Sequence, residues 1–158
     1  MADKNHAALS NLNVICLAGG VGGAKLADGL AQILPPDQLT IVVNTGDDFQ
    51  HLGLTICPDL DTVMYTLGEV ANTLTGWGRE GESWITIEEI ERLGGPAWFR
   101  LGDLDLATHL VRSQLLAEDH NLTYVTRYLS SHFDIQPTIL PMSKQPSPTS
   151  IMTDDAEM

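Results

Sequence analysis

Four glycines fall within five residues at Gly19-Gly20-Val21-Gly22-Gly23, between an apolar run and Lys25. Glycines let a phosphate approach the backbone closely, and the free N–H groups at a helix start attract its charge. Gly20, Val21, Gly22, Gly23 and Lys25 are therefore the candidate phosphate cradle. Neither familiar version of such a loop fits. The pattern G-x-G-x-x-G wants a third glycine where Lys25 stands, and the Walker pattern wants Gly-Lys-Ser/Thr where the chain reads Ala24-Lys25-Leu26. A tight strand-to-helix turn without a ligand is the alternative.

Carboxylates form the second candidate site. Asn44-Thr45-Gly46-Asp47-Asp48 follows a predicted strand, at the end where α/β ligand crevices open. Asp59 and Asp61 stand at the start of a predicted helix. An acidic protein that handles an anionic phosphate needs a cation between them. Mg2+ usually takes one or two carboxylates plus substrate oxygens. Asp47, Asp48, Asp59 and Asp61 are the candidates for holding it. The plainer readings are Asp47 in a Gly-Asp turn and Asp59 as a helix N-cap. Gly76-Trp77-Gly78-Arg79 offers an aromatic and a guanidinium, or only a surface loop. Asp103 and Asp105 suit the positive end of a helix dipole. His109 and Arg112, one turn apart, read as a surface or core-edge pair, and His51 alone indicates nothing.

The elements that must position these residues follow from the hydrophobic pattern. Residues 13–18 are a short apolar run that suits a central parallel strand buried on both faces. After the glycine turn, residues 24–34 place Leu26, Leu30, Ile33 and Leu34 on one helical face, stopped by Pro35-Pro36. Residues 39–44 are a second strand, which completes a βαβ unit. A polar connection (45–58) leads to a helix over 59–67 with Leu60, Val63, Met64 and Leu67 inward. Residues 68–82 are turn-rich. Thr86 to Glu89 match a capping box for a short helix to Leu93. Residues 103–119 give the clearest amphipathic helix, with Leu104, Ala107, Leu110, Val111 and Leu115 aligned. Residues 123–133 form another helix, capped by Thr123 and using Val125, Tyr128 and Leu129, and 138–140 a third strand. Residues 1–11 read as a loose extension, 12–140 as part of an α/β domain, and 141–158 as a polar Pro/Ser-rich and acidic tail. Sheets average about five or six strands, so three imply an incomplete domain.

Composition narrows the function classes. The chain has 158 residues, one domain's worth or a piece of a larger one. Hydrophobic residues make up 43% and charged ones 18%, which permits a packed core. Eight Lys and Arg against 21 Asp and Glu give a net charge of -13. That balance argues against nucleic acid, whose phosphates demand clustered basic residues, and against an anionic membrane surface. Cys16 and Cys57 lack metal-type spacing and read as reduced thiols of a cytoplasmic protein. No apolar run near the start is long enough to span a membrane.

Six blocks in order carry a family resemblance: GGVGGAKL (19–26), VVNTGDD (42–48), CPDLDTVMYTL (57–67), GWGREGESW (76–84), WFRLGDLDLATHLVR (98–112) and ILPMS (139–143). Together they resemble the 2-phospho-L-lactate transferase family, which builds the deazaflavin coenzyme F(420). The resemblance implies an α/β fold with a Rossmann-like parallel sheet core and flanking helices. It implies transfer of a phospholactyl, phosphoenolpyruvyl or phosphoglyceryl group from a guanosine diphosphate-linked donor. The acceptor is the hydroxyl of the deazaflavin FO, and GMP leaves. Mg2+ assists, and the enzymes are typically homodimers.

Carried onto matching positions, Gly20, Val21, Gly22, Gly23 and Lys25 hold the donor diphosphate, with Asn44 and Thr45 beside them. Asp47, Asp48, Asp59 and Asp61 hold Mg2+, and Asp48 and Asp61 are the leading catalytic candidates. Trp84, Trp98 and Thr108 belong to blocks near the deazaflavin pocket. Family enzymes are about twice this length, so the resemblance implies that a C-terminal half is absent. The rival readings are a non-catalytic nucleotide- or nucleotide-sugar-binding regulator of a related glycine-loop family, and a nicotinamide-dependent oxidoreductase. The missing third glycine and the missing acidic residue about 20 positions on weaken the latter.

Overall fold

A computed structural model describes residues 12–74 and 76–150. The extension at 1–11 and the acidic end of the tail lie outside the described residues. A parallel sheet of three strands has the order β1 (Val14–Ala18), β2 (Leu39–Val43), β5 (Thr138–Pro141). Helix α1 (Gly20–Ala31) joins β1 to β2, so the expected βαβ unit is present. The fold class is the expected one, a partial Rossmann-like α/β arrangement.

The helices cover one face of the sheet. Cys16, Ala18, Leu39, Ile41, Val43 and Ile139 pack there against α1, α2 (Pro58–Leu67) and α5 (Leu122–His132). Alternate strand residues point the other way, and Ile15 and Leu17 are 69% and 77% exposed. The expectation of a first strand buried on both faces is not met among the described residues, where β1 pairs with β2 alone and has one apolar face open. Cys16 and Cys57 are buried free thiols. No helix of the described residues is long and apolar enough to cross a membrane.

Several local expectations are also corrected. The glycine cluster is not a turn that precedes the helix: α1 begins at Gly20, the one glycine of the four with positive φ (57°). Its buried side chains are Ala24 and Ala27, whereas Leu26 and Ile33 are exposed. Small residues win this face because α1 lies close to β1; a Cβ on Gly23 would come within 2.9 Å of Ala18 Cα. The polar connection contains a hairpin, β3 (Phe49–His51) paired with β4 (Leu54–Ile56). Leu52 and Gly53, both at positive φ, form its two-residue turn. Asn121, not Thr123, caps α5 by accepting from the Tyr124 N–H at 3.0 Å, and Tyr128 is exposed.

The largest correction concerns α4 (Asp103–Ala117). Its buried residues are Asp105, Thr108, His109 and Arg112, while Leu104, Leu110 and Val111 face outward. The inward face is polar because it pairs with charged and hydroxyl groups on α2. The start of α4 is locked to that of α3 (Ile85–Arg92). Glu82 accepts from the Leu104 and Asp105 N–H groups at 2.8 and 2.9 Å. Asp103 accepts from the Ile85 and Thr86 N–H groups, both at 3.1 Å, and from the Ser83 hydroxyl. The expected capping box on Thr86 is therefore replaced by a cap from Asp103. The Ser83 and Thr86 hydrogen bonds hold the Asp103 carboxyl down at about 2.

Candidate functional site

The C-terminal ends of β1 and β2 meet the N-termini of α1 and α2, and Asp59 ties them together. Its Oδ1 accepts the Gly20 N–H at 2.8 Å, and its Oδ2 accepts Asn44 Nδ2 at 2.8 Å. Asn44 Nδ2 also reaches Asp47 Oδ2 at 3.2 Å, and Asn44 Oδ1 accepts the Gly46 N–H. Asp59 is thus neither a cap of its own helix nor free. It satisfies the first amide of α1, where helix geometry concentrates positive potential. Cys57 stands at the N-cap of α2.

Asp48 lies beside this group. Burial pushes its carboxyl up to about 6, and the Asp61 and Asp59 charges add to the rise against the Cys57 thiol and Arg112. Burial likewise pushes the Cys57 thiol up. Asp48 Oδ1 and Thr45 Oγ1 are buried without a hydrogen-bond partner. Buried polar atoms are rarely left so, which makes them the natural places for a ligand or cation.

Asp61 sits two residues beyond Asp59 but faces α4. Arg112, 1% exposed, grips its carboxylate with both guanidinium ends, one at 3.0 Å. Arg112 Nη1 also lies 3.0 Å from His109 Nδ1. A guanidinium only donates, so Nδ1 accepts and the ring proton sits on Nε2, 3.3 Å from Asp105 Oδ1. Asp105 accepts the Tyr65 hydroxyl at 2.6 Å. Burial, then the Asp61 and Asp105 charges, holds Tyr65 well above its ordinary value, so it stays a donor. Asp61, Asp105 and His109 are close enough to suggest a metal trio, each with an atom within 4.8 Å of the others. Arg112 argues against that reading, since a metal on Nε2 would put the Nδ1 proton against the guanidinium. The leading metal role expected for Asp61 is revised on the same ground.

The other expected residues are dispersed. Gly22 opens to empty space and Gly23 packs on Ala18. Val21 and Lys25 lie exposed on the first turns of α1. Thr108 is buried and bonds the Tyr65 hydroxyl. Trp98 packs on hairpin residues Phe49 and His51, with ring centroids 5.8 and 5.1 Å away. Trp84 stands at the N-cap of α3 under Arg100. Sequence reasoning missed Tyr65 and misjudged Asp105, His109 and Arg112. The signal available was that Asp105, Thr108, His109 and Arg112 share a face at i, i+3, i+4 and i+7.

Comparison with known proteins supplies the family. A family model described as 2-phospho-L-lactate transferase CofD matches residues 14–158. A phosphoenolpyruvate transferase of Kitasatospora aureofaciens is 45% identical over 148 residues, covering 92% of this chain and 46% of that one. One of Streptomyces griseus is 47% identical over 133 residues, 84% of this chain and 42% of its own length. One of Mycobacterium marinum is 44% identical over 156 residues, 91% and 47% respectively. This chain spans less than half the length of these relatives. The match spans the glycine cluster, the residues after β2 and the α4 block, and it makes the chain a member of the 2-phospho-L-lactate transferase family.

Proposed function

We propose that the chain serves the transfer of a phosphoenolpyruvyl group from a guanosine diphosphate-linked donor to the hydroxyl of the deazaflavin FO, in the making of coenzyme F(420). Phospholactyl and phosphoglyceryl donors are the related possibilities, and the relatives' names favour the enolpyruvyl one. In this reaction the acceptor oxygen bonds to the phosphorus that carries the three-carbon acid. The bond from that phosphorus to GMP breaks, and the hydroxyl proton passes to a carboxylate of the site.

The observation that carries this reading is the convergence of Gly20 N–H, Asn44, Asp47 and Asp59 at the strand ends, beside Asp48. The orphaned oxygens of Asp48 and Thr45 fit a hard divalent cation such as Mg2+. Asp47, Asp48 and Asp59 would hold it, while Asp61 stays with Arg112. Bound there, the cation would offset the charge of the diphosphate and of the departing GMP. Asn44 keeps Asp59 and Asp47 oriented, and the Gly20 N–H, which Asp59 occupies, is the amide a donor phosphate would share. Catalysis of this kind depends on alignment and charge more than on covalent help.

The test is incubation with FO, the guanylated donor and Mg2+, read by mass spectrometry, for this chain and for one extended to the relatives' length. Formation of the phosphodiester of FO with release of GMP is expected from the extended chain. No product there, with the donor intact, would overturn the assignment.

A further inference from the structure

The segment after β5 leaves the sheet and comes back to it. The Met142 N–H donates to the Val43 carbonyl at 2.8 Å, and the Thr149 N–H donates to the Gly46 carbonyl at 2.6 Å. Both acceptors lie at the end of β2, so residues 142–149 have the close ends of an Ω loop. Between its anchors the loop is lightly held. Residues 144–150 are exposed. The Ser143 hydroxyl accepts the Gln145 N–H at 3.2 Å, and the Ser147 hydroxyl reaches Ser143 Oγ and the Gln145 carbonyl, each at 3.2 Å. These bonds stay within the loop.

The loop also lies against the turn that carries the candidate site. A Cβ on Gly46 would fall 2.9 Å from Thr149 Oγ1 and 3.1 Å from Asn44 Oδ1, so the second anchor packs on the turn that Asn44 braces. The orphaned oxygens of Thr45 and Asp48 flank the same glycine. Lys144, Pro146 and Pro148 line, together with Asp48, a cavity of about 510 Å3.

We propose that residues 142–149 are a strap that opens and closes over the carboxylate site, with the bond from Thr149 to Gly46 as its latch. The inference rests on the transferase reading for what the site holds. A segment with exposed side chains and few outside bonds opens locally, far more often than the whole fold does. The first anchor extends the ladder in which Pro141 pairs with Val43, so it stays with the sheet. The second is a single bond to a turn, and it is the one that lets go. Pro146 and Pro148 stiffen the strap, which therefore swings as a piece. The cavity persists with the latch closed, so a ligand fits beneath the strap and holds it shut instead of expelling it.

Trypsin reads the strap at Lys144, because the bond to Gln145 is cut from the opened form. Release of the fragment 145–158 is followed by mass spectrometry, with cleavage after Arg127 on α5 as the internal reference. Thr149→Pro removes the latch donor and should speed that release about three- to tenfold with the thermal midpoint unchanged. Thr149→Ala keeps the N–H and should match the unaltered chain within about twofold. GDP with Mg2+, at a concentration that calorimetry shows to be saturating, should slow release from the unaltered chain at least about fivefold. Equal rates for Thr149→Pro and the unaltered chain would overturn the latch. Bound GDP with Mg2+ that leaves release unchanged or speeds it would overturn the strap's closure while the transferase reading stands. A chain that binds no GDP with Mg2+ would count against that reading and against closure on a ligand, and the Thr149 pair would still decide the latch.

Discussion

Asp48→Asn tests the site without any substrate. The Asp48 carboxyl rises from 3.8 to about 6, chiefly because burial disfavours its charge. Roughly two units at about 1.4 kcal/mol each set a ceiling near 3 kcal/mol. Asp48 is only partly buried, and solvent screening reduces this to about 1–2 kcal/mol. The sign follows from proton linkage. The folded state binds this proton more tightly than the unfolded chain, so its stabilising effect is full below pH 3.8 and is lost as pH rises through about 6. Asparagine resembles the protonated acid at every pH. Urea unfolding should therefore show Asp48→Asn equal to the unaltered chain at about pH 3.5 and more stable by about 1–2 kcal/mol at about pH 7.5. Mg2+ should narrow the difference at the higher pH by stabilising the unaltered chain alone. A variant that is less stable at the higher pH, or whose difference is the same at both, would refute the account of Asp48.

Arg112→Met should destabilise by about 3–5 kcal/mol, because it leaves the Asp61 carboxylate buried without its partner. Adding Asp61→Asn should recover most of that loss in thermal unfolding. Gly23→Ala forces a Cβ to within 2.9 Å of Ala18 Cα and should cost about 1–3 kcal/mol. Gly22→Ala, in open space on the same helix, should be neutral or stabilise by up to about 1 kcal/mol. Leu17→Lys on the open sheet face should change stability by no more than about 0.5 kcal/mol. A larger loss in this chain would show that something covers that face.

The elements legible in the sequence were those whose apolar pattern is continuous. Residues 39–43 and 138–140 announced β2 and β5, and Leu60, Val63 and Met64 announced the inner face of α2. The hairpin was not legible because strands of three residues show no alternation, and its turn uses Leu52 at a φ that favours glycine. The packing of α1 was hidden because alanines and glycine give close approach rather than bulk. Helix α4 offered two faces at the same period. The choice between them rests on Asp61, 51 residues away, which no local pattern reveals. At the site, the sequence places Asn44 and Asp47 after a strand and Asp59 at a helix start, and the structure joins the three through Asn44. That Asp59 would turn to Gly20 and Asp61 to Arg112 depends on how α2 is rotated between α1 and α4, and that is set by the core.

The exchanged carboxylates at the start of α3 and α4 tie the opening of one helix end to that of the other. Each helix takes its first hydrogen-bond acceptor from the segment that begins the other, through Asp103 for α3 and Glu82 for α4. Gly102 has room only because it lacks a Cβ, which would fall 2.2 Å from the Glu82 carboxylate. Ordinary helix ends fray one at a time. Here, unwinding of the first turn of α4 carries Asp103 away from the Ile85 and Thr86 amides, and unwinding of α3 drags Glu82 off Leu104 and Asp105. The four amides therefore open as one cooperative unit. In native-state hydrogen exchange they should share a single opening free energy, as the two ends of a clasp do.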